Sequence, residues 1–154
     1  MSEDLIHPIS RCTHLIIIYY KNNSLEKSID FGSATGFIWE NNKQHYLITN
    51  WHVVSGKNSI TNQCIHQFGC RPNYIEMHGY DDLGTSKIYT IKLYNSEEVN
   101  DDEKCWIELK ELKNGRMIDV VAIPLESNLD MKLYPLNLVK GFDTSQVVYT
   151  FLFP

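Results

Sequence analysis

What constrains this chain most is a rhythm. Short runs of β-branched and aromatic residues alternate with breaks rich in Asn, Gly, Asp and Ser. No window sustains apolar residues at i, i+3, i+4 and i+7, the spacing an amphipathic helix needs. The firmest local unit is a hairpin. Ala34 through Gly36-Phe37-Ile38-Trp39 and His45 to Thr49 read as strands, and the polar turn Glu40-Asn41-Asn42-Lys43 joins them. Asn tolerates the backbone angles that a tight hairpin demands. Further strands are expected at His14–Tyr20, Tyr74–His78, Ile88–Tyr94 and Ile118–Leu125. Val53-Val54-Ser55-Gly56 reads as a turn or a single helical turn, and residues 57–73 as a long loop. Six or seven strands at such spacing point to an all-β domain, a small closed or nearly closed antiparallel barrel.

The chain's 154 residues are enough for one core, and 43% hydrophobic against 21% charged residues exclude wholesale disorder. With 14 Lys and Arg against 19 Asp and Glu, the net charge is −5. Nucleic-acid affinity is largely cation-driven, so no nucleic-acid partner is expected. The longest apolar run, Leu15 to Tyr20, is too short to span a bilayer, so no membrane partner is expected either. The N-terminus Met1-Ser2-Glu3-Asp4 lacks the basic, then apolar, pattern of a secretory signal, so the expected compartment is the cytoplasm. There Cys12, Cys64, Cys70 and Cys105 are expected to be free thiols.

Two residues carry candidate chemistry. His52 follows the strand ending at Thr49 and opens the turn before Gly56. A histidine at the end of a rigid strand is firmly held and still accessible, which suits a general base. Asp119 stands in the apolar run Ile118-Asp119-Val120-Val121-Ala122-Ile123-Pro124-Leu125. A carboxylate there is costly to bury alone and needs a donor. An imidazole N–H is a natural one, and such a pairing fixes the tautomer and stabilises an imidazolium. The pairing requires an Asp119 oxygen within about 2.6–3.5 Å of His52 Nδ1.

Three segments, in order, resemble the first half of trypsin-like (chymotrypsin-fold) serine peptidases, nearest to their prokaryotic and phage-type branch. They are Ser33-Ala34-Thr35-Gly36-Phe37-Ile38-Trp39, Tyr46-Leu47-Ile48-Thr49-Asn50-Trp51-His52-Val53-Val54-Ser55-Gly56, and Ile118 through Leu125. The resemblance implies a six-stranded antiparallel barrel over residues 14–126. It also implies an N-terminal extension over 1–13, and a linker with the start of a truncated second barrel over 127–154. His52 would be the general base and Asp119 its orienting carboxylate, with protein or peptide substrates and no cofactor. The family's nucleophile lies in a Gly-x-Ser-Gly element, and none of the eight glycines begins one. Ser145, in Asp143-Thr144-Ser145-Gln146, lacks the shaping glycines.

A His–Asp pair without a nucleophile binds a proton but forms no acyl-enzyme. The expectation is therefore a serine-endopeptidase lineage that is inactive alone. Three versions stay open: a truncated remnant, one half of a split peptidase, or a non-catalytic protein-binding module. Val147 to Phe153 is uncharged and strand-forming, and unpaired it would promote self-association.

Other chemistry-bearing residues receive plainer readings. Cys64, His66 and Cys70 form Cys-x-His-x-x-x-Cys in the long loop. A structural zinc site takes four ligands, usually as two close pairs, and the fourth would have to be His45 or His78, so no metal is expected. His7 and His45 have no evident partner and are read as solvated. Trp39 and Trp51 are read as packing residues, Trp106 as half-buried, and the acidic set from Asp81 to Glu103 as a solvated face.

Overall fold

In the computed structural model, which describes residues 8–22, 28–110 and 117–139, the alternating runs become seven antiparallel strands. These are β1 (Thr13–Lys21), β2 (Ser28–Asn41), β3 (Gln44–Thr49), β4 (Tyr74–Tyr80), β5 (Ser86–Lys92), β6 (Ile107–Lys110) and β7 (Met117–Pro124). One short helix, α1 (Trp51–Ser55), follows β3. Short 3-10 turns at Pro8–Cys12 and Leu136–Leu138 flank the sheet. Among the described residues no helix is long and apolar enough to cross a membrane.

The β2–β3 hairpin forms for the reason its sequence suggests. Asn42 and Lys43 both adopt positive φ, 49° and 65°. That is the geometry whose twist matches the flanking strands. Glu40 faces His45, and Phe37 faces Ile48 across the pair. The strand β2 is longer than its sequence pattern indicates. It starts at Ser28 and pairs with β1 through a register shift between Ile18 and Tyr19. Gly32, at φ 97°, sits beside that irregularity, which bends a long strand without breaking its pairing.

The strands join in the order β5-β4-β1-β2-β3-β7-β6. The expectation of a closed six-stranded barrel is corrected here: the sheet has seven strands and is open. Its edge strands, β5 and β6, share no ladder. They approach only past their ends, where Tyr94 and Lys104 form an isolated bridge. There the Cys105 N–H donates to the Leu93 carbonyl at 2.9 Å, and the Asn95 N–H to the Glu103 carbonyl at 2.8 Å. The turn-rich segment between them offers too few extended residues for a longer pairing. The expected linker and orphan strand are described only as far as Val139, so Val147–Pro154 and Ser145 lie outside the described residues.

One face of the sheet holds the main core. Ile16, Ile38, Leu47, Ile75, Met77, Leu93 and Val121 are fully buried in it. Each such aliphatic side chain contributes roughly 1.5–3 kcal/mol by leaving water. A smaller cluster on the opposite face gathers Trp39, Ile48 and Ala122. Strands β2, β3 and β7 bury apolar side chains on both faces, whereas β1, itself an apolar run from Leu15 to Tyr20, buries alternate residues, His14, Ile16 and Ile18, and leaves Leu15 exposed.

Gly36 of β2 leaves no room for a side chain. A Cβ there would lie 2.7 Å from Leu47 Cδ1, 2.9 Å from Ile16 Cδ1 and 2.9 Å from the Ile48 carbonyl oxygen. The side-chain tips could turn aside, but the carbonyl is fixed by the ladder. Replacing a strand glycine with alanine normally gains about 0.5–1 kcal/mol. At this site overpacking reverses the sign, and Gly36→Ala is expected to cost about 1–3 kcal/mol. The urea midpoint measures it. An unchanged or raised midpoint would show that the site has slack.

Candidate functional site

Strand pairing delivers the site. β3 and β7 run antiparallel with Ile48 opposite Ala122 and Thr49 opposite Val121. Extending that register past the end of β3 carries Asn50, Trp51 and His52 alongside Asp119. There the chain leaves the sheet as α1, and Gly56 ends the helix in the left-handed conformation, at φ 65°. The Gly56 N–H donates to the His52 carbonyl at 3.0 Å. The turn expected at Val53–Gly56 is thus a helical turn, beginning two residues earlier.

His52 and Asp119 are in direct contact. Asp119 Oδ2 accepts from His52 Nδ1 at 2.8 Å, and Oδ1 lies 3.0 Å from the same nitrogen. Oδ1 also accepts the backbone N–H of His52 at 2.9 Å. An ionised carboxylate can only accept, so the proton sits on Nδ1 and the neutral ring carries its lone pair on Nε2. The His52 side chain keeps 44% of its surface exposed, and Nε2 has no hydrogen bond among the described residues. The chemical capacity of the arrangement is to receive a proton at Nε2 while the carboxylate stabilises the resulting cation.

Asn50, which the sequence reading left out, is the third member of this cluster. Its Nδ2 donates to the Asp119 carbonyl at 3.0 Å and lies 3.4 Å from Oδ2.

A second carboxylate anchors α1 from β6. Glu108 Oε2 accepts the indole N–H of Trp51 at 2.8 Å and that of Trp106 at 2.7 Å. Its other oxygen accepts from Lys104. Burial pushes this carboxyl up, and the hydrogen bonds from Lys104, Trp106 and Trp51 outweigh that effect. Its pKa lies below the ordinary glutamate value. Trp51 is buried, as expected of a packing residue, and Trp106, expected to be half-buried, is buried too; each indole N–H therefore requires an acceptor. That requirement was the available signal for Glu108.

The far end of α1 is held by Arg71. Its Nε donates to the Ser55 carbonyl at 2.7 Å, and Nη2 donates to Tyr94 Oη at 2.9 Å and to Asp101 Oδ1 at 2.7 Å. Lys57 reaches the other Asp101 oxygen at 3.3 Å. A guanidinium on the last carbonyls of a helix satisfies groups that have no partner within the helix. Trp51, Lys57, Arg71, Lys104, Trp106 and Glu108 border a cavity of about 210 Å³ beside the helix.

The remaining candidates are dispersed. Cys64 forms an isolated bridge with Lys57. The His66 ring packs against Phe31 and Phe68 at 5.2 and 5.6 Å. Cys70 Sγ lies 4.0 Å from the Phe68 carbonyl. Among the described residues, no three His, Cys, Asp or Glu side chains are gathered so as to hold a metal. All four cysteines are free thiols. His45 is not merely solvated, because its Nε2 lies 3.1 Å from Glu40 Oε2 across the hairpin. His78 Nε2 lies 3.8 Å from Glu76 Oε2, and His7 falls outside the described residues. No family model, curated protein or solved structure matches this chain.

The lowered pKa of Glu108 makes the anchor pH-dependent. A carboxyl whose folded pKa is depressed stabilises the fold above its unfolded pKa, about 4.3, and that stability is lost as pH falls through the folded value. Glu108→Gln is expected to cost about 1–3 kcal/mol at neutral pH and to flatten the acid limb of the stability profile. Urea unfolding across the acid range checks this. Parallel wild-type and variant curves would contradict it.

Proposed function

We propose that this chain is the His- and Asp-bearing half of a trypsin-like serine endopeptidase. The observation that carries the reading is the 2.8 Å contact from His52 Nδ1 to Asp119 Oδ2, with the Nε2 edge left open. In this reading the open sheet corresponds to the first of the family's two β-units. The nucleophilic serine comes from polypeptide outside residues 1–154, because those residues contain no Gly-x-Ser-Gly element.

The proton path follows from the tautomer. As the serine hydroxyl attacks a peptide carbonyl, its proton passes to His52 Nε2. Asp119 stabilises the imidazolium through Nδ1–H. The imidazolium then gives the Nε2 proton to the departing amine, and water repeats the cycle on the acyl-enzyme. The chain alone holds a base and its orienting group but no nucleophile, so it turns over no peptide.

A second reading is a non-catalytic protein-binding module. The loop between α1 and β4 favours it, since Ile60, Ile65 and Phe68 are exposed there at 68%, 58% and 78%. Apolar side chains grouped on one surface loop are a common mark of a protein contact.

The experiment pairs the chain with an adjacently encoded polypeptide that carries a Gly-x-Ser-Gly element. The chain alone is expected to resist fluorophosphonate labelling, and the mixture to cleave peptide substrates. His52→Ala or Asp119→Ala in the mixture is expected to lower kcat/KM by about a thousandfold or more. Serine labelling of the chain alone, or a mixture indifferent to His52→Ala, would overturn the reading.

A further inference from the structure

Asn50 immediately precedes α1, where an asparagine ordinarily turns its side-chain oxygen inward to accept a first-turn amide. Here the side chain makes no such bond. The first-turn amide of His52 is satisfied instead by Asp119 Oδ1, from a strand 67 residues away in sequence. Asn50 turns its amide outward and places Nδ2 3.0 Å from the Asp119 carbonyl and 3.4 Å from Asp119 Oδ2. The two residues have exchanged duties: the aspartate caps the helix, and the capping residue holds the aspartate.

We propose that Asn50 is a positioning residue that fixes the Asp119 carboxylate and thereby keeps His52 in its Nδ1–H tautomer. This rests on the reading of His52 and Asp119 as a proton-transfer pair. The terminal torsion of an aspartate is broad, so one contact does not set the carboxylate plane. In this site the carboxylate is held from two sides. The His52 backbone N–H engages Oδ1, while Asn50 Nδ2 approaches Oδ2, the oxygen nearest the imidazole. The stronger of Asn50's two contacts, to the Asp119 carbonyl, ties the side-chain amide to the β7 backbone and gives it a fixed origin. With the plane set, Oδ2 faces Nδ1, and the lone pair is left on Nε2. Without Asn50 the carboxylate is free to turn, and the ring gains access to the Nε2–H form, whose Nε2 cannot receive a proton.

The test reads the ring directly. Histidine ring nitrogens of the full 15N-labelled chain are followed by long-range proton–nitrogen correlation, above the pH at which the imidazoles titrate. Wild type is compared with Asn50→Ser, Asn50→Gly and Asp119→Ala. Ser and Gly both serve at the start of a helix, and neither can reach Asp119. Asn50 is exposed, so neither change disturbs the core, and the second variant covers a folding failure of the first. In wild type the His52 signals are expected to show Nδ1–H. In Asp119→Ala they are expected to move to Nε2–H. In the Asn50 variants they are expected at averaged positions, with melting temperatures close to wild type. Asn50 variants that superimpose on wild type while Asp119→Ala shifts would overturn the role of Asn50 alone. A wild-type ring in the Nε2–H form, or one indifferent to Asp119→Ala, would overturn the pair itself.

Discussion

The carboxylate of Asp119 ties the first turn of α1 to β7. It accepts a backbone N–H and a ring N–H from the same residue, His52, and so fixes where α1 starts and where its imidazole lies. A five-residue helix has too few internal hydrogen bonds to stand alone. Most of its polar groups must be satisfied from outside. Asp119 does this at the first turn, where a negative charge also suits the helix dipole. Glu108 holds Trp51 from the side, and Arg71 takes the Ser55 carbonyl at the far end. The helix is thus an accessory of the sheet, positioned by β6, β7 and the loop before β4.

The sheet in turn must be rigid where these carboxylates leave it. The β3–β7 register decides that Asp119 lies level with the start of α1, and a one-residue slip would turn its side chain to the opposite face. Burial on both faces of β3 and β7 resists such a slip. Leu47 and Val121 pack into the main core, while Ile48 and Ala122 pack into the smaller cluster. On the other side of β3, Gly36 of β2 leaves no room for a side chain beside Leu47 and the Ile48 carbonyl. Packing therefore sets the geometry of a site that is itself polar and half-exposed.

Much of this was legible in the residues, and what was not has physical causes. The β2–β3 hairpin was readable because apolar runs and a turn composition agreed. The His52–Asp119 contact was readable because a carboxylate inside Ile118–Leu125 required a donor. The strand β6 was missed because it is short and follows a turn-rich stretch, and the place of Glu108 was missed with it. Three hydrogen-bond requirements pointed elsewhere than the plain readings did: two buried indoles needed an acceptor, and His45 found Glu40 across the hairpin. Closure of the sheet was overestimated because strand count says nothing about whether the two edges have extended residues left to pair. Asn50 was invisible in sequence because its type suits a helix cap, and only the fold brings its amide to another strand.

The central claim is that Asp119, not the helix itself, holds His52 in place. Amide hydrogen exchange at single-residue resolution tests it most directly, in the full chain and in Asp119→Ala. If Asp119 is the anchor, the His52 backbone N–H is protected in wild type. It becomes fast-exchanging in the variant, while the amides of β1 and β4 keep their protection. A His52 amide that exchanges equally slowly in both proteins would contradict it, since the helix would then be standing without its carboxylate.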